Sequence, residues 1–336
     1  MRPIPQPQPR TPARRTRHRS RGSVLLRAAV LGLALVLATS CAVRTTSILR
    51  DPGTVRIALN SWVGYEADAA VIEYLLENEL GYQVQLVQID EQPAWQALDQ
   101  GAVDVILENW GHEDLMATYG PDGNGTVVDG GPTGNIGQIG WYLPRYLVEE
   151  YPGIDTPEGL REHAEVFRTP ESGDQGQFLA GAPGFVTSDQ GLINHYDLPF
   201  QIVYAGSEAA QLTEVRNRYQ RRAPILFYSQ DPSWVQNDLD LVRVRFPEWT
   251  EGCDADPEDV SCDYPRYELN KIFRAGFARD GGAAHELIRN WTWSNADQNA
   301  VAQLIAGDRL DPEEAAARWV AEHPDVWRPW IPAGAR

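Results

Sequence analysis

The chain has 336 residues, of which 43% are hydrophobic and 23% charged, and its formal net charge at pH 7 is −18. Residues 1–40 carry eight arginines and no acid, so the rest of the chain is more acidic still. Such an acidic surface repels nucleic acid and anionic membrane, which argues against a DNA-binding or membrane-coating protein. The length beyond residue 40 is enough for one large domain or for two lobes with cores of their own.

The N-terminal segment has the composition of an export signal. Arginines within residues 1–27 are followed by an apolar or small-residue run, 28–40, that is short for a membrane span. The stretch from Leu37 to Cys41 resembles a bacterial lipobox, whose cysteine becomes the lipidated first residue. We therefore predict a signal peptide over residues 1–40 and a lipid-anchor tether over residues 41–53, which places the protein on the outer face of the bacterial cell membrane. Ordinary cleavage that leaves Cys41 free is the alternative.

The next part of the chain alternates strands with helices. The segments are a strand over 55–59, a helix over 67–80, a strand over 84–89, a helix over 94–100 and a buried strand over 103–107. This order implies a parallel sheet with helices on its faces, in which ligands collect at the carboxyl ends of the strands. Trp62 and Trp110 each lie just past such an end.

The remaining segments continue this alternation. Helices are predicted over 142–150, 154–167 and 209–222, and short strands over 182–186, 201–204 and 224–228. Residues 242–246 are predicted as a strand that returns to the first lobe, followed by helices near 265–277, 283–291, 295–305 and 312–322. Asp311 is the predicted N-cap of the last helix, because proline and two acids follow it.

Two cysteines follow the tether, Cys253 and Cys262, in EGCDADPEDVSC. In an exported protein the default for such a pair is a local disulfide, here closing an acidic loop. Chain entropy predicts a contribution of about 2–3 kcal/mol for a loop of this size. A calcium site is the alternative because acids crowd the loop, but their spacing lacks the calcium-loop pattern. We predict a disulfide with a structural role and no metal site.

Four tryptophans stand in short, turn-rich segments: Trp62, Trp110, Trp141 and Trp234. A fully alkylated ammonium ion has no N–H to donate, so proteins recognise it with the faces of aromatic rings. Each tryptophan taken alone is as readily a core residue, but together they predict an aromatic cage built from distant segments. The tryptophans in helical segments are predicted to pack the core: Trp95, Trp291, Trp293, Trp319, Trp327 and Trp330.

Four segments carry a family resemblance: IALNSWVGYEADAAVIEYLLENELGYQVQLVQ, PAWQALDQGAVDVILENWGHED, GWYLPRYLVEEYPGI and GSEAAQLTEVRNRYQRRAPILFYSQDPSWV. In this order they resemble the substrate-binding proteins of glycine betaine and choline ABC importers, over nearly all of residues 54–322. The resemblance implies an α/β fold of the type II periplasmic-binding-protein kind. Each of two lobes is then a mainly parallel sheet flanked by helices, with the ligand in the cleft between them. We assign residues 54–142 and 242–332 to lobe 1, and residues 143–241 to lobe 2.

The resemblance also implies a function. It indicates a monomeric extracytoplasmic solute-binding protein, without cofactor, that captures a quaternary ammonium osmolyte and delivers it to the permease and ATPase of an ABC importer. Glycine betaine is the first candidate ligand, with choline, carnitine and proline betaine as alternatives. The predicted ligand-binding residues are Trp62, Trp110, Trp141, Trp234, Tyr142, Tyr65, Glu66 and Asp189.

Two of these positions bear on the charge of the ligand. Glu66 favours a ligand with only positive charge, whereas Gly134, Gly137 and Gly140 are candidate backbone donors to a carboxylate, or else a flexible loop. We interpret Glu108, Glu113 and Asp114 as solvated or capping acids, and His112 and His195 as hydrogen-bonded loop residues.

The enzymatic alternative is a lipid-anchored extracellular hydrolase that uses Asp189 or His195. The sequence lacks the G-x-S-x-G, H-E-x-x-H and phosphate-binding-loop motifs. We therefore predict a binding protein and not an enzyme.

Overall fold

The computed structural model describes residues 53–183, 185 and 187–335. The predicted signal peptide, Cys41 and the tether up to residue 52 lie outside them. In the described part, nine strands form one mixed sheet in the order β2-β1-β3-β9-β4-β7-β5-β6, with β8 paired to β4. The strands are β1 Thr54–Leu59, β2 Gln83–Gln88, β3 Val105–Asn109, β4 Val127–Pro144, β5 Gly176–Ala180, β6 Phe200–Tyr204, β7 Leu226–Asp231, β8 Leu241–Arg243 and β9 Arg266–Arg274.

Helices cover the sheet. They are α1 Val63–Asn78, α2 Glu91–Asp99, α3 Glu113–Tyr119, α4 Arg145–Glu150, α5 Pro157–Glu162, α6 Asp189–His195, α7 Glu208–Gln220, α8 Val235–Asp238, α9 Ala275–Asp280, α10 Gly282–Asn290, α11 Asn295–Ala302, α12 Pro312–Glu322 and α13 Pro324–Trp327. The predicted N-cap of α12 is confirmed, because the Asp311 side chain accepts from the Glu313 N–H. Among the described helices, none is long and apolar enough to cross a membrane.

The strand β4 joins two halves of the sheet. From Val127 to Gln138 it pairs with β9, and from Gln138 to Pro144 it pairs with β7 and β8. The first half of the sheet consists of β2, β1, β3 and β9, and the second half of β7, β5, β6 and β8. Strands β1, β2 and β3 are parallel, as are β5, β6 and β7, so antiparallel pairing is confined to the neighbours of β4 and β9.

Each half has a hydrophobic core. The first core contains β1, most of the buried face of α1, and all six tryptophans predicted to pack there. The second core surrounds Trp141 and Phe178. It also contains Val244, Cys262 and Tyr264, although the sequence reasoning assigns residues 242–264 to lobe 1. The packing differs from that assignment because β8 pairs with the C-terminal end of β4, and the chain returns to the first half only with β9.

The helix predicted over residues 265–277 is wrong. Most of that segment is β9, which pairs with both β3 and β4. Its buried positions include Leu269, Lys271 and Phe273, which follow the two-residue period of a strand. A lysine at a core position conceals that period in the sequence.

Lys271 is only 1% exposed and donates from Nζ to the carbonyl oxygens of Pro132 at 2.8 Å and Trp291 at 2.7 Å. Burial lowers the pKa of its ammonium group to about 8. These hydrogen bonds compensate the desolvated charge and tie β9 to the segment that follows α10.

The stretch of glycines before Trp141 is part of β4 and not a flexible loop. Gly137 lies opposite Tyr267 of β9, and Gly140 lies opposite Ser229 of β7. Sequence reasoning missed this strand because glycine weakens any strand pattern. In this protein the missing side chains make room for two others, Trp110 over Gly137 and Arg243 over Gly140.

Candidate functional site

A cavity of about 1250 Å³ is lined by residues from both halves of the sheet. Its aromatic lining consists of Trp62, Trp110, Phe185, Tyr228, Trp249, Tyr264 and Tyr267. Two of these rings, Trp62 and Trp110, belong to the predicted cage. They are brought together because β1 and β3 are adjacent parallel strands whose carboxyl ends meet at one edge.

The chain turns immediately after each of these tryptophans. Trp62 precedes the first residue of α1, and Trp110 is followed by Gly111, whose φ of +88° requires glycine. The indole of Trp110 lies over Gly137, where a β-carbon would stand 2.6 Å from its Cζ3 atom. On another side this indole packs against Tyr267, with ring centroids 5.7 Å apart. The close approach of strand and ring fixes the position of Trp110.

One buried carboxylate orients both rings. Trp62 Nε1 donates to Glu108 Oε1 at 2.9 Å, and Trp110 Nε1 donates to the same oxygen at 2.7 Å. The other oxygen accepts from Gln298 Nε2 at 2.5 Å. Glu108 is 1% exposed, so the interpretation of this residue as a solvated or capping acid is wrong. Its place in β3, two residues before Trp110, was the available signal for its role.

A second acid lies behind Glu108. Asp68, on α1, is 1% exposed. Burial raises the pKa of its carboxyl group well above the usual range, and the charge of Glu108 and a hydrogen bond with it act in the same direction. Two acidic side chains, Glu108 and Asp68, therefore lie behind the two indoles. An acidic setting behind the rings favours a cation at their exposed faces.

Two aromatic residues extend the wall into the second half. The rings of Trp62 and Phe185 meet edge to face with centroids 6.0 Å apart, and Phe185 lies 5.7 Å from Tyr228. Tyr228 is on β7 and is 7% exposed. Sequence reasoning missed both residues because neither is a tryptophan in a recognised segment.

The charged lining of the cavity is mostly acidic. The acids are Glu91, Glu113, Asp114, Glu248, Glu251, Asp254 and Asp263, and the arginines are Arg243 and Arg266. Glu91 pairs with His112 at 2.9 Å, and Asp263 pairs with Arg243 at 2.7 Å. The Arg243 Nε atom is buried without a hydrogen-bond partner. The cavity therefore favours positive charge overall, while its two arginines offer donors suited to an anionic group, and Arg243 has one that is buried and unpaired.

The acidic loop closed by the cysteines forms part of the cavity wall. Cys253 and Cys262 are joined by a disulfide, as predicted. Residues in and just before this loop line the cavity: Glu248, Trp249, Glu251 and Asp254. The loop region therefore contributes to the cavity as well as to stability. Across the described residues, no group of three or more His, Cys, Asp or Glu side chains is arranged to hold a metal ion.

The other two tryptophans of the predicted cage do not line the cavity. Trp141 is fully buried in the second core, stacked on Phe178 with centroids 4.2 Å apart, because β4 directs it to the same core as Leu143. Trp234 is 2% exposed and packs in the first core, with the guanidinium of Arg216 5.1 Å from its ring centroid. Both are placed as core residues in this structure.

Tyr65 and Tyr142, the predicted substitutes, are also core residues. Tyr65 is fully buried, and its hydroxyl accepts from the Leu107 N–H at 2.8 Å. Its ring meets Trp62 edge to face at 5.3 Å, so it supports that indole from behind. Tyr142 packs on Phe227 in a small separate cluster.

The two predicted acids lie outside the cavity lining as well. Glu66 is half-buried on α1, where burial raises the pKa of its carboxyl group. Asp189 is 2% exposed and accepts from Trp141 Nε1 at 2.6 Å and from the Tyr264 hydroxyl at 2.8 Å. Tyr264 lines the cavity, so Asp189 is linked to the cavity only indirectly, through its hydrogen bond with that tyrosine.

Comparison with known proteins gives one family. The model of the family described as the substrate-binding domain of ABC-type glycine betaine transport systems matches residues 53–322. The trimethylamine N-oxide-binding protein of Pelagibacter ubique is 26% identical over 290 residues, which are 82% of this chain and 89% of that protein. The glycine betaine/proline betaine-binding periplasmic protein of Salmonella typhimurium is 22% identical over 280 residues, 75% of this chain and 82% of the other.

Solved structures share the fold. Lactococcal OpuAC, in its closed, liganded conformation with glycine betaine, superposes with a TM-score of 0.66 at 21% identity, covering 83% of this chain and all of the other. An ABC-transporter choline-binding protein in complex with choline gives a TM-score of 0.66 at 22% identity, covering 82% and 91% of the two chains. These likenesses confirm the predicted α/β fold of the type II periplasmic-binding-protein kind.

Proposed function

The chain belongs to the family of substrate-binding domains of ABC-type glycine betaine transport systems, and we propose that it captures glycine betaine between Trp62 and Trp110. It is a binding protein and not an enzyme, it acts outside the cytoplasm, and its partner is an ABC transporter. The observation that carries the proposed site is the pair of indoles held by Glu108 in the wall of a cavity that both halves line.

The proposed cage consists of Trp62 and Trp110 from the first half, with Phe185 and Tyr228 from the second. Each well-placed ring contributes roughly 0.5–2 kcal/mol to binding a methylated ammonium group. Micromolar affinity needs about 8.2 kcal/mol, so the rings alone are insufficient. Burial of the methyl groups and contacts to the polar end of the ligand supply the remainder once the two halves close.

Arg243 supports a ligand with a carboxylate. Arg243 lines the cavity, and its Nε atom, which lies over Gly140, is buried and has no hydrogen-bond partner, so a carboxylate that reached this guanidinium would provide an acceptor. The excess of acids around the cavity supports the second candidate, choline, which carries only positive charge. Glycine betaine remains the first candidate because it is the ligand that would satisfy a donor otherwise left buried and unpaired.

Tryptophan fluorescence and calorimetric titrations with glycine betaine, choline, carnitine, proline betaine and trimethylamine N-oxide test the proposal. We expect glycine betaine to bind most tightly and to be recovered unchanged. Arg243→Gln should weaken glycine betaine about tenfold, or about 1.4 kcal/mol, and leave choline nearly unaffected. Arg245→Gln is the matched control, since Arg245 lies outside the cavity and pairs with Asp155. Choline as the tightest ligand, with no effect of Arg243→Gln, would favour the cationic candidate, and binding of none of the five would refute the proposal.

Loss of the disulfide is expected to affect both stability and binding. Cys262→Ser should remove about 2–3 kcal/mol of stability by the chain-entropy estimate. It should also weaken ligand affinity severalfold, because the loop carries Asp254, which lines the cavity and accepts a hydrogen bond from the lining residue Trp249. Thermal melts and calorimetry measure the two effects, with Ser261→Ala in the same loop as the control. A lower melting temperature with unchanged affinity would mean that the loop does not touch the bound ligand.

We further propose that the two halves act as lobes that divide near Gln138 and close on the ligand, that Cys41 carries a lipid anchor, and that the protein is monomeric. The lobe boundary is supported by β4, where Gln138 pairs with Arg266 on one side and Asp231 on the other. The lipid anchor rests on the lipobox resemblance of residues 37–41.

A further inference from the structure

A carboxylate from the second half is buried at the start of a helix of the first half. Glu208, the first residue of α7, is 7% exposed. Its Oε2 atom accepts from the backbone N–H of Val63 at 2.7 Å, and its Oε1 atom accepts from Gln230 Nε2 at 3.3 Å. Val63 is the first residue of α1 and directly follows Trp62. Glu208 therefore reaches across the cleft to the backbone of the proposed cage.

This contact supplies a missing helix cap. The first N–H groups of a helix have no partner within the helix, and a side-chain oxygen at the N-cap position usually accepts from one of them. In α1 the N-cap position is occupied by Trp62, which makes no such hydrogen bond. Glu208 replaces the cap from the opposite half, and its carboxylate suits the positive end of the helix.

Two carboxylates thus hold Trp62 from different directions. Glu108 accepts from its indole within the first half, and Glu208 accepts from the next backbone N–H only when the second half is in place. We propose that Glu208 is a positioning residue that couples closure of the two halves to the orientation of Trp62. This inference rests on the proposed function, because it assigns Trp62 to the ligand cage.

The charge around Glu208 adds a dependence on pH. Burial raises the pKa of the Glu208 carboxyl group to about 7, opposed by the hydrogen bonds from Val63 and Gln230 and reinforced by Glu108 on β3 and Glu66 on α1. The pKa of this carboxyl group is higher in the closed form than when the group is exposed to solvent. At a pH between those two pKa values, the upper of which is about 7, the group therefore takes up a proton when the halves close. Closure, and with it ligand affinity, should therefore strengthen as the pH falls from about 7 toward 5.

The test compares Glu208→Ala and Glu208→Gln with the wild-type protein, using glycine betaine as the probe. Hydrogen exchange of the Val63 amide reports the cap directly, and stopped-flow tryptophan fluorescence gives the dissociation rate. Glu214→Ala is the matched control, because Glu214 lies about 1.7 turns further along α7 and pairs with Arg218 near the surface.

We expect Glu208→Ala to speed exchange of the Val63 amide and dissociation of the probe about tenfold each, the size expected for a hydrogen bond to a charged group. Glu208→Gln keeps a carbonyl oxygen that can accept from the Val63 N–H. The new amide NH2 group then faces Gln230, whose amide can turn to present its oxygen as the acceptor. It should retain affinity within about threefold and lose the rise in affinity at low pH.

Val63 exchange that is equal in Glu208→Ala and wild type overturns the inference, whether or not the probe binds. Faster exchange with unchanged probe dissociation also overturns it, because the cap would then not influence Trp62. If the wild-type protein binds none of the five compounds, the proposed function fails, and the exchange comparison alone still decides whether Glu208 caps α1.

Discussion

Replacing Glu108 with alanine is expected to weaken ligand binding at least about a hundredfold, or about 2.7 kcal/mol. The substitution removes the common acceptor of Trp62 Nε1, Trp110 Nε1 and Gln298 Nε2, and leaves these donors buried without it. Each unsatisfied buried donor costs about 1–3 kcal/mol, so the two indoles should turn to find other partners. Calorimetry measures the affinity, and near-ultraviolet circular dichroism shows whether the tryptophans have lost their fixed environment.

Two further variants separate this effect from unfolding. Glu108→Gln keeps one carbonyl oxygen for the indoles, and we expect an affinity between those of the wild type and the alanine variant. Glu268→Ala, at an exposed position of β9, should leave binding unchanged. A folded Glu108→Ala protein with wild-type affinity would show that Glu108 does not orient the cage.

The second large effect is a division among the four tryptophans predicted from the sequence. Trp62→Ala and Trp110→Ala should each weaken binding at least about tenfold, because both rings line the cavity. Trp141→Ala should instead reduce the free energy of unfolding by about 3–5 kcal/mol, because it empties a site stacked on Phe178. Denaturant unfolding and calorimetry on the same variants give both quantities.

Conservative variants complete this comparison. Trp141→Phe preserves much of the packing, so it should keep wild-type affinity, and Trp234→Phe should do the same in the first core. A tenfold loss of affinity in a stably folded Trp141→Phe protein would show that Trp141 belongs to the ligand cage.

The parts of the fold that sequence reasoning predicted are those governed by local pattern. The strand and helix alternation from β1 to β3 is regular, and it correctly placed Trp62 and Trp110 at one edge of the sheet. The disulfide and the cap at Asp311 follow from residue type and spacing alone. These features depend on few contacts between distant residues.

The errors arose where distant contacts decide the structure. β4 contains glycines because other side chains occupy the space above them, and β9 contains Lys271 because three carbonyl oxygens surround its ammonium group. Trp141 and Trp234 have neighbours in the sequence as typical of turns as those of Trp62, and only their packing shows that they are core residues. Glu208 is a charged residue whose burial no sequence pattern reveals, and for Glu108 the only signal was its place two residues before Trp110.

The sharing of β4 by both halves has a consequence for the energetics of uptake. Most of each core lies within its own half, although Leu212, Trp234 and Val235 of the second half pack in the first core, so the proposed opening about Gln138 leaves most of both cores intact. The free-energy difference between the open and closed arrangements then depends on the contacts that bridge the two halves, which include those of Glu208, Phe185 and Trp234. On the proposed closure, a solute shifts this balance by as much as its affinity differs between the two arrangements, and its release then requires no unfolding of either core.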